Sequence, residues 1–241
     1  MDWSDDAIVL SVRPLGESGA ILEALTRMHG RHSGLVRGGA SRRMRPVLQP
    51  GNSLHLHWRA RLSEHLGSFT VELAKSRAGE LMERREALTG LNALSAVASA
   101  ALPEREPHAQ VFEAGEILLD AMMEDGLDHW GALYVRWEAG LLDALGFGLD
   151  LSHCAVTGTT EDLIYVSPRS GRAVSRAAGA AYKERLFRLP QFLMGSQNVV
   201  TGADITAGLR LTAHFLLDRV LTPHGKPIPT ARTFLADYAL R

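Results

Sequence analysis

Arginine is the residue type with the clearest chemistry in this sequence, and it is gathered in one stretch. Between Ala24 and Ser63 there is no Asp or Glu, while Arg27, Arg31, Arg37, Arg42, Arg43, Arg45, Arg59 and Arg61 all fall inside it. A guanidinium presents a planar fork of N–H donors that pairs bidentately with phosphate oxygens and stacks on bases. The rest of the chain makes this concentration meaningful, because the formal net charge of the whole protein is only −1. Residues 1–80 hold 11 Lys and Arg against 8 Asp and Glu, a net of +3, and residues 81–241 hold 15 against 19, a net of −4. A forty-residue gap in acids is longer than an ordinary charge run. It points to a polyanion such as a nucleic acid rather than to an idle solvated face.

Six of the eight are the expected phosphate contacts. Arg42, Arg43 and Arg45 follow Gly38-Gly39 and are expected on a mobile loop that wraps a flexible backbone. Arg37 ends one expected strand, and Arg59 and Arg61 end another.

Other chemistries find less support. His55-Leu56-His57 puts two imidazoles on one strand face, but no carboxylate or cysteine nearby completes a metal shell. Gly16-Glu17-Ser18-Gly19-Ala20 does not meet the Gly-x-Ser-x-Gly spacing of a nucleophile elbow. Gly38-Gly39 lacks the Gly-Lys-Ser/Thr of a phosphate-binding loop. A nuclease or ligase fragment needs carboxylates for Mg²⁺ within the basic region, and that region has none. The span Glu104–Asp128, with eight acids and one arginine, is expected to be a solvated helix face. No catalytic residue and no cofactor is expected, and the protein is not expected to be an enzyme.

Positioning these arginines requires a scaffold, and the chain has two textures. Residues 7–12, 20–26, 31–37, 53–59 and 69–74 form short β-branched or alternating runs punctuated by Gly and Pro. Five short strands in this span point to a small barrel or sandwich; a five-stranded OB barrel has this size, and its loops and one strand face commonly hold single-stranded nucleic acid. From about Glu80 the apolar spacing becomes helical, with segments around 81–97, 111–122, 133–145, 178–188, 203–221 and 231–238. Residues 149–178 lose that period and are expected to form an inserted hairpin. The predicted class is α+β, with a nucleic-acid-binding barrel at 1–80 and a helical domain at 81–241. A single cysteine, Cys154, fits a reducing compartment. No apolar run reaches the roughly 18 residues of a membrane helix, and the first residues show no secretory pattern. A cytoplasmic location at the nucleoid is expected.

Several pieces, in order, resemble the RecO family of recombination and DNA-repair mediators. They are Ile8-Val9-Leu10, Gly16-Glu17-Ser18, Leu25-Thr26 with His29-Gly30, the Gly38–Arg43 loop, and Leu48-Gln49-Pro50-Gly51. Leu221-Thr222-Pro223-His224-Gly225-Lys226-Pro227 followed by Thr230-Ala231-Arg232 resembles the family's C-terminal signature. The resemblance implies an OB domain, a helical domain and no catalysis. It implies binding of single- and double-stranded DNA and annealing of complementary strands. It also implies loading of a RecA-type recombinase together with a RecR-type partner, and docking of the acidic C-terminal tail of single-strand binding protein. An RNA-binding processing or translation factor on the same barrel is the alternative that charge alone leaves open.

Two features bear on that resemblance. Many relatives carry two Cys-x-x-Cys zinc pairs in the insertion; here the positions read Cys154-Ala155-Val156-Thr157 and Ser175-Arg176-Ala177-Ala178. Three of four thiolates are missing, so no zinc is expected. In the helical domain Arg185, Arg210 and Arg219 lie near Phe187 and Phe215. These five are the expected apolar groove, rimmed by guanidinium, for the partner's acidic tail.

Overall fold

The computed structural model describes residues 1–195 and 199–240. Its first strands are β1 (Asp2–Leu15), β2 (Gly19–Thr26), β3 (Gly30–Val36), β4 (Ser53–Arg59) and β5 (Ser68–Lys75). They close a barrel in the order β1-β2-β3-β5-β4, with β4 returning to pair with β1. β3 and β5 run parallel, which completes the OB connectivity.

Alternation decides what fills the barrel. Val9, Leu22, Val36, Leu54, Leu56, Trp58 and Phe69 point inward and form its core. Each such side chain contributes roughly 1.5–3 kcal/mol by leaving water. β1 begins earlier than its apolar run suggests. Asp2 to Asp6 pair with Arg59 to His55, and a backbone ladder does not require apolar side chains. Gly30 has φ +68°, and a Cβ there would lie 2.1 Å from the Glu106 carbonyl oxygen. Only glycine lets the later chain cross β3 at this point.

Three helices follow: α1 (Ala78–Glu83), α2 (Arg85–Ala101) and α3 (Ala109–Glu124). Strand gives way to helix between Lys75 and Ala78, whereas the compact units divide later in the chain, into 1–124 and 125–241. The reason is visible in Arg77, which is 1% exposed. Its guanidinium donates to Glu116 at 2.7 Å and Asp120 at 2.6 Å, both on α3. Burial opposes the charge on Arg77, yet these bonds and charges hold its pKa above the usual value. Lys75 joins Asp120 at 2.7 Å, and Arg27 joins Glu113 at 2.6 Å. Four of the eight acids of 104–128, Glu104, Glu113, Glu116 and Asp120, thus serve as counter-charges for cations of the barrel and its exit, in addition to forming a solvated face.

The second unit contains α4 (Leu127–Ala144), β6 (Leu163–Val166), β7 (Ala173–Ser175), a short α5 (Arg176–Gly179), β8 (Phe187–Arg188), α6 (Gly202–Phe215) and α7 (Thr230–Ala239). The insertion is a three-stranded sheet of order β7-β6-β8 rather than a hairpin alone. The helix expected over 178–188 is instead a 3₁₀ segment, Ala180–Arg185, leading into β8. Backbone pairing of Phe187 and Arg188 with β6 overrides the local helical spacing. α6 passes into a π-helical turn, Leu216–Leu221. α4, α6 and α7 are joined by a buried ion pair: Glu138 is 0% and Arg232 is 1% exposed. Glu138 accepts from Arg232 Nε at 2.5 Å and Nη2 at 2.9 Å, and Arg232 also donates to the Leu209 carbonyl at 2.7 Å. Among the described residues no helix is long and apolar enough to cross a membrane.

Candidate nucleic-acid interface

The barrel divides the eight arginines into two groups. Arg31 donates to Glu23 at 2.5 Å and to the Leu102 carbonyl at 2.9 Å, with Glu104 at 3.5 Å. Arg27 is held by Glu113. These two serve the packing of the α2–α3 segment. The other six, Arg37, Arg42, Arg43, Arg45, Arg59 and Arg61, are exposed. None of them has an acidic partner among the described residues. Cations left without a counter-charge at a surface are available to an external anion.

Arg42, Arg43 and Arg45 lie on the link between β3 and β4, but that link is not the mobile loop expected from its glycines. Met44 and Val47 pack on the barrel core, and Leu48 is 2% exposed. Met44 N–H and Arg45 N–H donate to the Ser41 carbonyl, and Leu48 N–H to that of Met44. Asn52 Nδ2 donates to the carbonyls of Pro46 (2.8 Å) and Val47 (3.1 Å). The segment forms a plug over one end of the barrel and holds its three guanidinium groups outward. Such a preset array costs less to order on binding than a disordered loop.

The register places the remaining cations. Val36, Phe69 and Trp58 point into the core, so Leu35, Arg37, Ser68 and Arg59 point out. Leu35 is opposite Ser68, and Ser68 is opposite Arg59. Arg37 and Arg59 thus share the outer surface across β5. Arg61 lies in the β4–β5 loop, which Arg105 secures by donating to the carbonyls of Ser63, Glu64 (3.2 Å) and His65 (2.9 Å). Arg13 was not among the expected contacts. Exposed and without an acidic partner among the described residues, it is opposite Ile21, which is opposite Leu35. The alternation Ser11, Arg13, Leu15 carried that signal.

His55 and His57 share the outward face of β4 with Arg59. His55 bonds to Asp6, and His57 Nδ1 lies 3.1 Å from Ser4 Oγ. In register Asp6 and Glu72 flank His55, Ser4 and Thr70 flank His57, and Asp2 is opposite Arg59, so this outer face of β4 mixes both signs.

In the second unit, Arg185, Phe187 and Arg210 line one groove of about 940 Å³, with Lys183, Ala207 and Leu240. Phe215 and Arg219 are not part of it. Phe215 is 0% exposed, and the Arg219 guanidinium lies 4.5 Å from its ring centroid. Both were expected beside the others from closeness in sequence, but Phe215 ends α6 facing the core and Arg219 lies in the π-helical turn beyond it. Arg188, close in sequence, is engaged by Asp204 at 2.7 Å.

The segments of Cys154 and Ser175 converge, through hydrogen bonds. Ser175 N–H donates to Cys154 Sγ at 3.3 Å, and Ala178 N–H to Ser175 Oγ at 3.4 Å. Burial pushes the Cys154 thiol up, but bonds from the Thr157 hydroxyl and from the Ser175 N–H and hydroxyl outweigh it and bring it to about 6. One sulfur among two hydroxyls and an alanine does not fit a structural zinc ion. Among the described residues no group of three or more His, Cys, Asp and Glu is placed to hold a metal.

Comparison with known proteins agrees over the whole length. Residues 1–77 match the family model described as recombination protein O N terminal, and residues 82–227 the one described as recombination protein O C terminal. A protein of Phenylobacterium zucineum named DNA repair protein RecO is 52% identical over 237 residues, covering 98% of this chain and 97% of the relative. Proteins of the same name from Rhodospirillum rubrum and Caulobacter vibrioides are 51% and 50% identical. The first covers 96% of this chain and 94% of the relative, the second 98% and 97%.

Proposed function

The chain belongs to the RecO family of DNA repair proteins, and from that membership and its unpaired arginines we propose that it is a non-catalytic recombination mediator. It binds single- and double-stranded DNA through the plugged end of the OB barrel and brings complementary strands together. In the cytoplasm, at the nucleoid, it acts with a RecR-type partner to load a RecA-type recombinase on DNA coated by single-strand binding protein. The observation that carries this reading is the division of the arginines: the chain's own acids neutralise Arg27 and Arg31 and leave six others exposed. Guanidinium groups spread over one barrel surface neutralise two strands at once, which lowers the repulsion that slows pairing. The test is annealing of complementary labelled oligonucleotides at low salt, expected to accelerate with added protein. Unchanged pairing, or tighter binding to RNA than to DNA of the same sequence, contradicts it.

The groove of Arg185, Phe187 and Arg210 is the proposed seat of the acidic tail. Its guanidinium groups suit the terminal and side-chain carboxylates, and its apolar floor suits the tail's apolar residues. Charge reversal of Arg185 and Arg210 together is expected to weaken a tail peptide at least tenfold in fluorescence anisotropy, with DNA binding retained. Peptide affinity within twofold of the parent excludes the groove.

A further inference from the structure

Between the arginine plug and the β1–β2 turn lies a cavity of about 400 Å³, on the scale of pockets that hold small ligands. Val12, Pro14, Leu48 and Pro50 form apolar walls. Its polar groups are few and open. Arg45 Nε donates to the Ala40 carbonyl at 3.1 Å, leaving the terminal guanidinium nitrogens without a partner among the described residues. Gln49 Nε2 donates to the Arg45 carbonyl at 2.9 Å, which fixes the amide and leaves its oxygen as an acceptor. Glu17, in the β1–β2 turn, has no bond to another residue among those described and supplies a second acceptor.

We propose that this cavity takes one nucleobase turned out of a single strand whose phosphates cross Arg42 and Arg43. The inference rests on the DNA-binding reading above and adds what that reading lacks, a contact to the base. Flat apolar walls including two prolines suit a π face, and a donor beside two acceptors matches the mixed edge that bases carry. The neighbouring arginines supply charge complementarity for the backbone on either side. A duplex keeps its bases stacked, and unstacking one costs a few kcal/mol, so the cavity favours single strands while the arginines serve both forms.

The test compares an oligodeoxynucleotide with an all-abasic strand of equal length, which presents the same phosphates without bases. The parent protein is expected to bind the base-bearing strand about tenfold more tightly (1.4 kcal/mol). Ala40→Trp, at the cavity lining, is expected to bind both strands alike with an unchanged salt slope. Glu17→Ala, an exposed turn position with no fold risk, is expected to lose several-fold on the base-bearing strand alone. Equal binding of both strands by the parent protein, or a preference surviving in both variants, overturns the cavity as a base site. Failure of the parent to bind either strand at low salt overturns the DNA-binding reading itself, and the cavity with it.

Discussion

Reversal of Arg42, Arg43 and Arg45 together to Glu is expected to weaken single-stranded DNA binding by roughly 500-fold near 50 mM salt, from a loss of about 0.7 counterion per contact over three contacts. The three side chains are exposed, and their one bond to the protein among the described residues is from Arg45 Nε to Ala40. The fold is therefore expected to survive, since surface changes of this kind usually stay within about 0.5 kcal/mol each. The plug rests on Met44, Val47, Leu48 and Asn52, none of which changes. Anisotropy with a labelled oligonucleotide and a thermal melt of each protein check the two halves. Affinity within threefold of the parent, with an unchanged melt, removes the plug as the site.

The second large effect lies in the helical unit. Glu138→Ala is expected to destabilise it by about 3–5 kcal/mol, because it leaves a buried guanidinium without its counter-charge. Arg232 would keep the Leu209 carbonyl, the Thr212 hydroxyl and the face of the Tyr134 ring, none of which carries a counter-charge. A paired change, Glu138→Met with Arg232→Met, is expected to recover most of the loss, since apolar residues of similar size avoid the desolvation cost. Urea unfolding of the full chain reads both. An effect of Glu138→Ala below about 1 kcal/mol contradicts the assignment. This network accounts physically for the end of the C-terminal motif: Arg232 binds helix to helix and does not face a ligand.

Much of the fold was legible in the sequence because it is written in local periods. Strict alternation in Ser53–Arg59 identified β4, and the Gly and Pro breaks separated its neighbours. The division of the arginines was not legible. Arg31 has Glu23 on the next strand, but Arg27 is neutralised by Glu113, and Glu104 and the Leu102 carbonyl add to Arg31; those three lie about seventy or more positions along, and no local pattern records that return. The plug was misjudged for a related reason. Its glycines signal freedom, but Leu48 and Asn52 remove it through contacts with strands distant in sequence. Phe187 came out as helix because Leu186 fits a helical stripe, whereas its partner strand, β6, decides its conformation. Phe215 and Arg210 share α6, and only the packing of that helix separates the buried ring from the exposed guanidinium.

The central claim is that the exposed arginines of the barrel, led by Arg42, Arg43 and Arg45 on the plug, form an electrostatic site for DNA. Its most direct test is the affinity of the full chain for a labelled single strand across a salt series. Four to six neutralised phosphates predict a slope of log K against log salt of about −3 to −4, at about −0.7 per contact. The Arg42, Arg43 and Arg45 reversal is expected to flatten that slope by about 2. A parent slope near zero, or no binding at low salt, would contradict the claim.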